Sequence, residues 1–228
     1  MTVAARRLAL RGSRLMIAIE VAAVAAVFIA DQHGVIVFSK TPYLLALGWL
    51  ALWLRGIGWR DVGFRLAPNW RLLVLAGVAA GIAMEALELY GTQPLLVALT
   101  GKYPDLSLFK PLIGSWKLLA LLIALAWTVA AFGEELVWRG YLLNRIADLF
   151  GRKPSGWILS LVLVSAVFGL AHSYQDVTGI AENAFDGVLL GLLYLASGRN
   201  LIVPIVAHGM TDTLDALLIF SGHYPGMH

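Results

Sequence analysis

The sequence predicts an all-α fold, a polytopic transmembrane helix bundle of about seven spans (six to eight). Three observations predict it. Of 228 residues, 60% are hydrophobic and only 14% are charged, with a mean hydropathy of +0.80; soluble domains carry about 25% charged residues. Apolar runs recur at about 15–30, 35–54, 72–90, 116–133, 157–171, 178–197 and 201–220. Their lengths are near the roughly 20 residues with which a helix crosses a bilayer core. The basic residues, finally, sort to one side of those runs.

The first run follows Arg6, Arg7, Arg11 and Arg14, as in a signal peptide, but Glu20 interrupts it and further spans come after. The second is broken by Lys40 and Pro42. The connector 55–71 is basic and holds Trp59, Pro68 and Trp70, which suits a membrane interface. Pro94, Pro104 and Pro111 predict an irregular external loop over 91–115. With no repeat or second domain visible, residues 1–228 read as one transmembrane domain.

If all seven runs span and the N-terminus is cytoplasmic, thirteen of the 17 Lys and Arg residues fall on the cytoplasmic side. Lys40, Lys102, Lys110 and Lys117 fall on the other. Positive charge concentrates in cytoplasmic loops, so the N-in topology is expected. The absence of cysteine excludes disulfides, thiolate metal ligands and a cysteine nucleophile. The net charge of +3 is modest, and no nucleic-acid partner is expected.

Ionisable groups inside a membrane are costly and mark function by default. The richest cluster is Phe132-Gly133-Glu134-Glu135-Leu136-Val137-Trp138-Arg139-Gly140. Glu135 and Arg139 are four apart and meet on a helix as an ion pair. Glu134 is rotated about 100° from Glu135, so it is left free of that pair. Phe168 and His172 share a helix face, and so do His208 and Asp212. Counting about 1.5 Å per residue from the turn near 150–154 brings Glu134 and His172 to similar heights. His208 joins them only if that turn protrudes farther than Asn200 does. Glu85 with Glu88, and Glu182 with Asp186, are further acidic pairs, expected to face the bundle interior or a hydrated groove.

Glu-Glu-x-x-x-Arg, Phe-x-x-x-His and His-x-x-x-Asp, in that order over about 116–221, resemble the CPBP family of intramembrane proteases. That family includes CAAX prenyl proteases of the Rce1 type and bacterial relatives linked to bacteriocin self-immunity. The resemblance implies a catalytic Glu134 supported by Glu135 and Arg139, a water-holding His172, and His208 from the third motif. Asp212 stands where the prenyl-protease branch has Asn. A carboxylate donates no hydrogen bond unless protonated, so Asp212 is expected to orient His208 or bind a cation.

Elementary chemistry fits the same assignment. Peptide hydrolysis needs an activated water, a proton donor for the leaving amine and stabilisation of the oxyanion. Glu134 suits the base, His172 the water and His208 the oxyanion, with no cofactor required. A Zn²⁺ or other divalent metal held by His172, His208, Glu134 and Asp212 is the alternative, although the helical His-Glu-x-x-His signature is absent. The expected function is an intramembrane endopeptidase in a bacterial cell membrane. Its partners would be membrane lipid and a membrane-associated protein or peptide substrate, prenylated CAAX proteins among the candidates. A transporter built on the remote acids and a non-enzymatic membrane scaffold are the readings from other classes. A serine protease has only Leu195-Ala196-Ser197-Gly198 to support it, without the leading glycine of the rhomboid pattern.

Overall fold

In the computed structural model, which describes residues 10–227, every one of the seven apolar runs forms a long helix. They are α1 (Arg14–Gln32), α2 (Lys40–Arg55), α3 (Trp70–Thr100), α4 (Trp116–Leu149), α5 (Pro154–Leu170), α6 (Asp176–Ala196) and α7 (Ile202–Ser221). No strand occurs among the described residues. Five helices, α1, α3, α4, α6 with its preceding turn, and α7, are long and apolar enough to cross a membrane; α5 is apolar but shorter, and α2 has 16 residues. Calls on Arg6 and Arg7 lie outside the described residues.

Local chemistry sets the boundaries. Ser13, Ser39 and Ser115 cap α1, α2 and α4 by accepting from the backbone N–H groups of Met16, Thr41 and Leu118. Gly56 and Gly222, in the left-handed conformation, end α2 and α7. The sequence reading began the external loop at residue 91, but α3 continues to Thr100. Glu88–Thr92 forms a π turn, which places Pro94 in the first turn of the following α-helical stretch. Its missing N–H is tolerated there. The irregular segment therefore begins at Gly101.

Lipid tails are as apolar as leucine, so close van der Waals packing holds such a bundle together. Small residues supply it. A Cβ on Gly77 would lie 2.6 Å from Val206 Cβ, and one on Gly81 would lie 2.6 Å from the Ala207 carbonyl oxygen. The spacing of four brings α3 against α7 along one seam. Gly209 admits the Trp127 ring of α4 against α7, and Gly169 and Gly187 let α5 and α6 approach. The largest buried cluster contains Leu44, Val137, Trp138, Tyr141, Phe168, Tyr194 and Leu201. Leu75, Leu99, Ile158 and Val162 point outward, as lipid-facing residues do.

The two ends of the bundle differ in charge. Arg11 donates to the carbonyls of Arg55 and Gly56, Arg65 to Gly198 and Asn200 to Arg65. Those contacts gather the arginine-rich connections at one end. Glu20, buried in α1, pairs there with Arg55 and Arg145, and Asp148 pairs with Arg145 and Arg152. At the opposite end Lys102 pairs with Asp176, the Asp105 N–H donates to the Gln175 carbonyl, and Gln32 bonds Ser173. Arg139 belongs to neither end: it is 2% exposed, inside the bundle.

Candidate active site

A cavity of about 320 Å³ lies between α3, α4, α6 and α7, with lining from the connections before α2 and α6 and between α3 and α4. Glu134, His172, His208 and Asp212 all line it. Glu134 sits at the end of a π-helical stretch, Ala126–Glu134, and a second one, Leu136–Leu143, follows at once. Such turns are rare in helices and recur at functional sites.

The two adjacent glutamates have different surroundings. Glu135 is fully buried; its Oε1 accepts from Arg139 Nη1 at 2.5 Å and lies 2.9 Å from His208 Nδ1. Glu134 is half-buried, faces the cavity and accepts from the Thr41 hydroxyl at 3.2 Å. Arg139 Nη2 donates to the Gly187 carbonyl at 3.0 Å, and its guanidinium lies 4.8 Å from the Phe168 ring centre. Phe168 also lies beside both imidazoles, with ring centres 4.9 Å from His172 and 6.2 Å from His208.

Hydrogen bonding fixes the rings. His172 Nδ1 lies 2.9 Å from the Phe168 carbonyl oxygen. A carbonyl only accepts, so Nδ1 carries the hydrogen and Nε2 is left free for a water. His208 Nδ1 likewise faces an acceptor, Glu135, which leaves Nε2 for the cavity; Asp212 Oδ1 is 3.7 Å from it. His208 meets Glu135 even though it lies only seven residues from Leu201, against fourteen from Glu135 to Leu149. At about 1.5 Å per residue, the turn joining α4 to α5 must extend roughly 10 Å beyond the start of α7.

Among the described residues no three His, Asp or Glu side chains converge as a ligand set.

Residues 116–214 match the family model described as type II CAAX prenyl endopeptidase, Rce1-like. The likeness drawn from the three motifs is shown by that match, and the matched span contains all of them. The match covers 99 of the 228 residues, and the family it describes is one of endopeptidases. No curated protein and no solved structure matches the chain.

Several site residues carried no sequence signal. Thr41, which bonds Glu134, comes from the half of the chain without motifs. The His208–Glu135 contact joins two motifs that the sequence treats as separate. Asp215 also lines the cavity, and its period was readable: His208, Asp212 and Asp215 follow one α-helical face. Glu85, Glu88 and Glu182 are 4%, 7% and 5% exposed, inside the bundle. Glu88, Glu182 and Asp186 line the same cavity as Glu134.

Proposed function

We propose that this chain is an endopeptidase that hydrolyses a membrane-associated protein or peptide with a water activated by Glu134, without a metal. The observation that carries the reading is the convergence of Glu134, His172 and His208 on one cavity. The free oxygen of Glu134 and the Nε2 lone pair of His172 suit the two hydrogens of a single water. Glu134 takes one proton as the oxygen adds to the scissile carbonyl carbon. His208, protonated at Nε2 and held at Nδ1 by Glu135, donates to the oxyanion. Collapse breaks the C–N bond, and Glu134 passes its proton to the leaving nitrogen. Arg139 neutralises Glu135, which leaves Glu134 as the unpaired carboxylate.

In this reading the N-terminus is cytoplasmic, which the concentration of arginines at one end of the bundle supports. Ser39, Phe109 and Tyr174 line the cavity from the lysine end, so substrate approaches from the face opposite the arginines. The deciding experiment is cleavage of a peptide library by the purified chain in detergent. Glu134→Gln keeps the size and the Thr41 bond but removes the base, and activity should fall about 10²–10⁴-fold with unchanged thermal unfolding. Full cleavage by Glu134→Gln overturns the mechanism.

A further inference from the structure

Six carboxylates, Glu88, Glu134, Glu182, Asp186, Asp212 and Asp215, line the cavity, and no lysine or arginine does. Of these six the hydrolytic scheme uses Glu134 as its base and leaves most of the acidity unexplained. Glu88 is held by the Tyr224 hydroxyl, which itself accepts from Gln93. Glu182 is different: it is 5% exposed, and its Oε1 has no hydrogen-bond partner. Asp215 Oδ1 is also unpartnered. A buried carboxylate without a donor is costly, and a cation bringing N–H groups removes that cost.

The same cavity has an apolar wall made by Leu122, Leu125 and Ile219. Acid groups beside an apolar wall suit a cation on a hydrocarbon stem, because such a side chain buries its methylenes and keeps its charge among polar atoms. A bare metal ion suits it less, since no three carboxylates or histidines converge among the described residues. We propose that the acidic wall formed by Glu88, Glu182, Asp186 and Asp215 is a subsite for a basic side chain, lysine or arginine, of the substrate. The proposal rests on the protease reading for its word substrate, but the binding it asserts does not need cleavage.

The test uses the full chain in neutral detergent with two fluorescent probes, dansylcadaverine and its N-acetylated, uncharged counterpart. The amine should bind at least tenfold more tightly, and Glu182→Gln should reduce that preference to less than threefold. Asp215→Asn, at a more exposed position, serves as the second variant if Glu182→Gln does not fold. A parallel comparison measures kcat/KM for peptides that differ only in lysine against norleucine. Equal affinity for the two probes overturns the subsite, as does a preference that both variants retain. Cleavage without any lysine preference overturns the subsite and leaves the protease standing. Amine preference in a chain that cleaves nothing supports the subsite and overturns the protease.

Discussion

Arg139→Met keeps an unbranched apolar stem and deletes the charge. In the parent, the 2%-exposed Arg139 holds the fully buried Glu135 at 2.5 Å and the Gly187 carbonyl at 3.0 Å. Removing it strands a carboxylate whose Oε2 already has no partner. Breaking a buried pair from one side costs about 3–5 kcal/mol. His208 still donates to Glu135, so the expected loss is near the lower figure, about 3 kcal/mol. Glu135→Gln strands the guanidinium instead and should cost a similar amount. The double variant Glu135→Gln with Arg139→Met removes both charges, and its loss should fall short of the sum of the two by about 1–3 kcal/mol, the coupling typical of residues in contact. Reversible unfolding in mixed micelles, followed by tryptophan fluorescence, measures all three. Arg139→Met within about 1 kcal/mol of the parent, or strictly additive losses, would refute the assignment of Arg139 as the neutralising partner.

Three further outcomes are expected. Cleavage should persist after prolonged incubation with a strong chelator, measured as initial rate; loss restored by added Zn²⁺ would instead establish a metal mechanism. The chain has no cysteine, so Asn69→Cys and Ser107→Cys can each be labelled in intact cells with a membrane-impermeant maleimide. Ser107→Cys should react and Asn69→Cys should react only after lysis, and the reverse pattern would invert the topology. Gly209→Ala places a Cβ 2.7 Å from the Trp127 ring, which should cost about 1–3 kcal/mol by overpacking. Because His208 is its neighbour, the cleavage rate should fall as well, and an unchanged melting temperature would contradict the packing.

The long elements were legible because hydrophobic runs of bilayer length have few alternative structures. The Glu135–Arg139 contact was legible because spacing on a helix is local. The partnership of Glu135 with His208 was not, since it depends on how far the α4–α5 turn extends below the start of α7. Thr41 was invisible for a similar reason: a threonine near a helix N-terminus reads as capping chemistry, and only the approach of α2 to Gly133, where an added Cβ would lie 3.0 Å from the Thr41 methyl, brings its hydroxyl to Glu134. The end of α3 was misplaced because a proline pattern looks like a loop unless a π turn resets the register ahead of it. The acidic pairs were found two by two, while the meeting of Glu88, Glu182 and Asp186 at one cavity follows from the packing of α3, α6 and α7.

The 16 residues of α2 and the 17 of α5 are about 24 and 26 Å long at 1.5 Å per residue. A hydrocarbon core is about 30 Å thick, and a shortfall is met by thinning the bilayer at a fraction of a kcal/mol per Å. Both helices stop beside the reacting groups, α2 beginning one residue before Thr41 and α5 ending two residues before His172. The lipid surface should therefore dip at that spot, bringing bulk water down to a carboxylate that a full-length span would have sealed in oil. For the proposed hydrolysis, which needs water inside a membrane, two short helices would supply it by hydrophobic mismatch.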